Sequence, residues 1–265
     1  VKNLILSTSS GYNWEQIKKW NLSAAATGNE VCNILVNPSD ELCKDIDQNV
    51  PEHGWRVLRF DPRSLNKPPH NLRFLFQYKY LMEIKGKHPY VVVTDSRDVY
   101  FHSDPFPRIK EILDAMGKDI VCGSECIAYK DEHWGNGNLM EGFGYVYDDF
   151  CGNEICNVGV LCGKTEAVAE LCLMIFTMCH HNPASVSDQS SFNILMGTDF
   201  GRKRIAVTRP SDGVMVHLGT VGVDKFRDKL TEKPSWKDGE IPSVGGKVIP
   251  IIHQYDRVDT SKWGI

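Results

Sequence analysis

The stretch Pro89–Phe106, PYVVVTDSRDVYFHSDPF, constrains the fold more than any other part of this sequence. Tyr90-Val91-Val92-Val93 is a continuous apolar run without alternation, and it stops abruptly at Thr94. A half-exposed strand alternates polar and apolar residues. An unbroken run predicts a strand buried on both faces, the kind found inside a parallel sheet. In such α/β folds, ligands gather outside the carboxyl ends of the strands. Two carboxylates, Asp95 and Asp98, follow that end directly. They repel each other unless a cation lies between them, and hard oxygen ligands suit Mg²⁺ or Mn²⁺. The stretch therefore suggests a divalent metal holding a phosphorylated ligand at a sheet edge. On these residues alone an equal alternative stands: Asp95 caps a turn, and Asp98 pairs with Arg97 or another base.

Strand and helix signals alternate around this stretch. Asn3–Ser7 reads as a first strand, followed by the loop Thr8-Ser9-Ser10-Gly11-Tyr12 and a helix over Trp14–Thr27 that stops at Gly28. Val31–Val36 is a second strand, and Ser39 caps a helix running to Val50. Trp55–Phe60 is a third strand, Pro62–Pro69 a loop and His70–Lys87 a long helix. With the strand at Tyr90 this makes a βαβαβαβ run, which builds a parallel sheet with helices on both faces. The second half is less regular. A helix begins near Pro107, and Ile120–Gly123 is a short strand. Ala128–Phe150, rich in Gly, Asn, Trp and Tyr, has no periodicity and reads as a loop-rich insertion suited to binding or to a plain surface excursion. Ile155–Leu161 returns as a strand, Lys164–Cys179 is an amphipathic helix, and Ser187–Met196 opens another. Short strands at Ile205–Thr208, Val214–Leu218 and Val248–Ile252 finish the chain.

At 265 residues the chain fits one large α/β domain, or two small ones sharing a core. A net charge of −4 gives no basic footprint for nucleic acid. The longest apolar run, Leu171–Met178, is about half of what a bilayer span needs. Lys2 is followed by only Leu4-Ile5-Leu6 before a Ser/Thr/Gly cluster, so no signal peptide is read; the chain opens on Val1, which leaves an upstream segment open. Nine cysteines cannot all pair within one chain, and Cys32, Cys162 and Cys172 sit in apolar contexts. Buried free thiols fit a reducing compartment, so a soluble, cytoplasmic domain is favoured. Cys151 and Cys156 with His180 and His181 match no paired zinc-ligand spacing.

Three further segments sharpen the carboxylate motif. Cys156-Asn157-Val158-Gly159-Val160 places an amide and a glycine inside a strand, where glycine permits close approach of a ligand. Asp188-Gln189 puts a carboxylate and an amide at a helix start, as a site or as an ordinary cap. Ile251-Ile252-His253 ends a late apolar run in an imidazole, which complements two carboxylates around Mn²⁺.

Taken in this order, the segments resemble glycosyltransferases of the GT-A fold. The fit is closest to the Asp-x-x-Asp branch seen in collagen glucosyltransferase domains and in sequences sharing D-x-R-D-V-x-F. The resemblance runs from Asn3 to about Tyr255 and implies a mostly parallel, Rossmann-like sheet flanked by helices. It implies one domain, with residues 1–105 binding the nucleotide-sugar and 106–265 the acceptor. It also implies transfer of a hexose or pentose, with Mn²⁺ or Mg²⁺, from a nucleotide-sugar, UDP-linked by default. The acceptor would be a glycan, glycoprotein or small molecule. Asp98 would be a metal ligand, Asp95 a ligand of the metal or of the ribose, and His253 the third ligand in preference to His217. Thr8, Ser9 and Tyr12 would cradle the base. Arg73 would meet the phosphates, against an equal reading as an ordinary helix arginine. Ser96, Arg97, Asn157, Gly159 and Gln189 would line the donor site. Asp188 and Glu125 are the candidate catalytic carboxylates. Two other readings remain: a sugar nucleotidyltransferase, disfavoured because Ser7–Tyr12 holds one glycine and no Lys or Arg, and a non-catalytic binding module of the same fold.

Overall fold

The computed structural model describes residues 1–50, 54–59, 67–237 and 239–265. The end of the expected third strand at Phe60, and most of the expected loop before Pro69, lie outside them. The first half alternates as expected: β1 (Leu4–Ser10), α1 (Trp14–Ala26), β2 (Glu30–Val36), α2 (Asp40–Asn49), β3 (Gly54–Leu58), α3 (Pro69–Glu83) and β4 (Tyr90–Thr94). A short strand, β5 (Val99–Phe101), leaves four residues after β4 ends, and α4 (Phe106–Met116) and β6 (Ile120–Ala128) follow. Beyond these come α5 (His133–Phe143), α6 (Tyr147–Phe150), β7 (Glu154–Lys164), α7 (Thr165–His181), α8 (Asp188–Met196) and α9 (Asp199–Arg204). The chain ends through β8 (Ile205–Thr208), β9 (Met215–His217), α10 (Leu218–Val221), β10 (Ser243–Val244), β11 (Lys247–Val248) and β12 (Ile251–His253).

The central sheet has seven strands in the order β3-β2-β1-β4-β7-β6-β8. It is mostly parallel: only β7 runs against its neighbours β4 and β6. The apolar runs explain its burial. Leu4, Leu6, Val91 and Val93 face one core with side chains of α3 and α7, among them Leu72, Phe74, Val168 and Leu171. Ile5 and Val92 face the opposite core with Trp20 and Ala24 of α1 and Ile109 and Leu113 of α4. Neither face meets water, so a strand here has no place for polar alternation.

A second sheet of three strands, ordered β5-β12-β9, packs beside the first. It does alternate. Val99, Phe101, Met215 and Ile251 join the α1–α4 core, whereas Tyr100, Val216 and Ile252 enter a separate cluster with Tyr255 and Trp263. His217 and His253 lie two residues after Met215 and Ile251, so both rings point inward toward the large sheet.

The expected loop over residues 128–150 is corrected by α5 and α6. The glycines that hide the helical pattern are outweighed by a cap and by packing: Glu132 accepts from Trp134 N at 3.2 Å, and Leu139 and Phe143 are buried with Ile127 and Ile155. The single late strand expected over residues 248–252 is instead β11 and β12, which belong to different sheets.

Candidate functional site

β4 ends at Thr94, where two buried contacts pin the backbone: Trp20 Nε1 donates to Thr94 Oγ1 at 2.7 Å, and Ser7 Oγ donates to Thr94 O at 2.8 Å. Asp95 N still reaches Gly159 O of β7 at 2.9 Å. The chain then crosses from the large sheet to the small one, placing Asp95 at the edge of one and Asp98 at the edge of the other. Gln254 N donates to Asp98 O at 2.7 Å, which ties the far end of the motif to the residue after His253.

Asp95, Asp98 and His253 converge, with one ligand atom of each lying within 4.8 Å of the others. His253 Nε2 stands 3.6 Å from Asp95 Oδ2 and 3.7 Å from Asp98 Oδ1, beyond direct hydrogen bonds. Those separations fall inside the roughly 4 Å that two ligands, each about 2.1 Å from one ion, can span. Gly159 makes the convergence sterically possible: a Cβ there would lie 2.6 Å from His253 Cε1 and 2.7 Å from Asp95 Oδ2. Burial lowers the basicity of His253, which favours a neutral, ligating imidazole.

Arg73, one turn into α3, connects this cluster to a third carboxylate. Its Nη1 pairs with Asp95 Oδ1 and its Nη2 with Asp188 Oδ2, the latter at 3.0 Å. Arg73 is therefore a central member of the site rather than an exposed helix arginine. Asp188 is the first residue of α8 and is buried. Glu125, from β6, sits in a separate buried network. Its Oε1 accepts from Asn157 Nδ2 at 2.7 Å and from Gln189 Nε2 at 2.9 Å. Burial pushes the Glu125 carboxyl above the usual carboxylate range, against the pull of these two amides.

A cavity of about 520 Å³ opens beside Asp95 and Asp98. Thr8, Tyr12, Arg73, Ser96 and Arg97, all named among the candidate donor-site residues, line it. Ser9 does not: it is buried between β1 and β2, donating to Asn33 Oδ1 at 3.0 Å. Asn157 and Gln189 spend their amides on Glu125, on Gly159 N and on Val158 N, away from that cavity. Asn37, Lys67 and His70 also line it and went unread in the sequence. The signal available was the spacing of His70 and Arg73 on the first turns of α3, which puts both on one helix face. Two polar groups in the cavity wall are buried without a protein partner, Thr8 Oγ1 and Arg73 Nε.

No family model matches the chain, and no curated protein matches it in sequence. Among solved structures, the crystal structure of mouse xyloside xylosyltransferase 1 in its apo form is similar over 98% of this chain and 99% of that one. The TM-score is 0.53 at 11% sequence identity. This establishes the fold as the mixed α/β, GT-A type. Among the described residues, no helix is long and apolar enough to cross a membrane.

Proposed function

We propose that this chain is a glycosyltransferase that uses Mn²⁺ or Mg²⁺ to move a sugar from a nucleotide-sugar, UDP-linked by default, to an acceptor hydroxyl. The observation that carries this reading is the convergence of Asp95, Asp98 and His253 beside the 520 Å³ cavity of a GT-A-type fold. Two carboxylates and a neutral imidazole are a donor set that fits either ion. These three residues would hold the metal, which would neutralise charge developing on the departing diphosphate.

The cavity wall divides by chemistry. Tyr12, Val36, Leu72 and Phe76 offer apolar surface for a base, while Thr8 and Arg73 bring the unpartnered polar atoms. A guanidinium forks well onto phosphate, and Arg73 is placed to do so while holding Asp188. Asp188 is assigned to the transferred sugar, as base for the acceptor hydroxyl or as stabiliser of an oxocarbenium-like centre. Glu125 is the second carboxylate, gripped by Asn157 and Gln189. Every residue lining the cavity precedes residue 99, which supports residues 1–105 as the donor half and 106–265 as the acceptor half of one domain. The neighbour is named a xyloside xylosyltransferase, so a xylosyl donor and a xyloside acceptor are the first pair to try. Nine free cysteines, seven of them buried, support a reducing compartment such as the cytoplasm.

Calorimetry with UDP, with and without Mn²⁺, followed by a screen of nucleotide sugars for metal-dependent hydrolysis, tests the reading. Metal-dependent nucleotide binding with turnover is expected. Binding without hydrolysis or transfer would leave a recognition module of the same fold, and no nucleotide binding would overturn both.

A further inference from the structure

Among the described residues, three that are not glycine hold a positive φ: Asn37 at 48°, Cys126 at 56° and Gln254 at 59°. A residue with a Cβ adopts this left-handed conformation at a cost, and such residues gather where a site fixes the backbone. All three stand beside the proposed site. Asn37 lines the cavity, Cys126 follows Glu125, and Gln254 follows His253. Asparagine enters the left-handed region readily, whereas glutamine does so rarely.

Three hydrogen bonds fix the turn at Gln254. Its backbone N–H donates to Asp98 O at 2.7 Å, and the next residue repeats the grip, Tyr255 Oη donating to Arg97 O at 3.0 Å. Two consecutive residues after His253 thus clasp two consecutive carbonyls of the Asp95–Asp98 motif. The Gln254 side chain reaches α10 instead, where its Oε1 accepts from Gly219 N at 2.9 Å. Gly219 follows His217 by two residues, and β9 lies in register beside β12. Only glycine leaves room for that bond: a Cβ at residue 219 would stand 2.4 Å from Gln254 Oε1. A glycine at position 254 would make the turn more cheaply, but it would carry no amide to reach α10.

We propose that Gln254 is a positioning residue: its amide anchors a left-handed turn to α10, and that turn sets the distance between Asp98 and His253. This rests on the metal site proposed above. The side chain acts through the backbone rather than as a ligand. Gln254 N–H binds the carbonyl of one proposed ligand, and the peptide bond joins Gln254 to the other, so a shift of the turn moves both. His253 Nε2 and Asp98 Oδ1 stand 3.7 Å apart, close to the widest separation that one small divalent ion can bridge.

Calorimetry with Mn²⁺ alone, on the whole chain and its variants, tests this from both ends of the bond. Gln254→Met keeps the length of the side chain and removes the acceptor. Mn²⁺ affinity should fall by about 10–100-fold, the usual effect of losing a partner that orients a ligand, with the circular dichroism spectrum unchanged. Gly219→Ala places a methyl group where Oε1 lies and should cost a similar factor, although residue 219 is no proposed ligand. The double variant should bind within about threefold of the weaker single one, because both changes break the same contact. Gln254→Glu keeps the oxygen and should retain native affinity or better. Native affinity in Gln254→Met and Gly219→Ala overturns the proposal and spares the metal site. Losses that multiply in the double variant, or a Gln254→Glu protein as weak as Gln254→Met, rule out the hydrogen bond as the cause. Absence of Mn²⁺ binding to the unmodified protein overturns both the proposal and the metal site.

Discussion

Each carboxylate of the site has a different set of partners, and substitutions should separate their roles. Asp98 faces His253 Nε2 and immediately precedes the small sheet, so Asp98→Ala removes a proposed metal ligand without opening the main core. Calorimetry on that variant should show Mn²⁺-dependent UDP binding lost while the circular dichroism spectrum is unchanged. Unchanged UDP affinity would remove Asp98 from the metal site. Asp188→Asn keeps a polar side chain of the same size beside Arg73 at the start of α8. Nucleotide affinity should stay within about threefold while turnover falls by about 10²–10⁴, the usual worth of a positioned acid–base group. Full activity would reduce Asp188 to a structural partner of Arg73 and shift attention to Glu125. Glu125 itself is read through pH. Its folded carboxyl sits above the ordinary value of 4.5, so the folded state holds this proton more tightly than the unfolded chain. Its ionisation thus costs stability as pH rises from the unfolded value through the folded one. Glu125→Gln keeps an oxygen for Asn157 and Gln189 and escapes that cost. Urea denaturation should show the variant gaining on the unmodified protein between pH 4 and pH 7, and a gap that narrows with pH would contradict the assignment.

At the scale of elements, β6 and β7 meet the small sheet closely because glycine and histidine face each other across the junction. Gly159 lies under His253 as Gly123 lies under His217. Gly159→Ala should push His253 and Asp95 apart, weakening Mg²⁺ binding by at least tenfold, with an overpacking cost of about 1–3 kcal/mol. A variant with native Mg²⁺ affinity would mean the imidazole can shift without consequence. The sequence exposed much of this arrangement and hid the rest for identifiable reasons. Tyr90–Val93 announced a doubly buried strand, and Ile205–Thr208 matches β8 residue for residue, because local patterning governs both. Asp95 and Asp98 could be grouped because both follow the apolar run of β4 within four residues, and His253 joined them as the end of a late apolar run and through the family resemblance. The contact between His217 and His253 could not, since it depends on the register of two strands 36 residues apart. Arg73 was half legible, as helical spacing says nothing of which carboxylates a guanidinium will meet. Helix α5 was hidden because Gly135, Gly137 and Gly142 erase its pattern, and only packing against the buried cluster around Ile155 restores it.

At the scale of the whole molecule, a cation at this site would join parts of the chain that the fold keeps in separate sheets. An ion that binds only the folded protein should stabilise it by about 2.7 kcal/mol at a hundred times its dissociation constant. For a chain of this size that corresponds to a rise in Tm of roughly 5–10 °C. Thermal melts with and without Mn²⁺ should show that rise in the unmodified protein and none in Asp98→Ala. Equal rises in both would place the stabilising ion elsewhere. The four-residue crossing from β4 to β5 has a mechanical meaning as well. Asp95 leaves the large sheet, Asp98 leads into the small one and His253 ends a strand of it, so the spacing of these three proposed ligands would gauge the angle between two slabs. Tilting the small slab by repacking Tyr100 and Trp263, in its outer cluster, would stretch or close that set without replacing any of the three residues. The affinity of such a site for an ion would in that sense be a lever whose handle lies in the packing of the outer cluster.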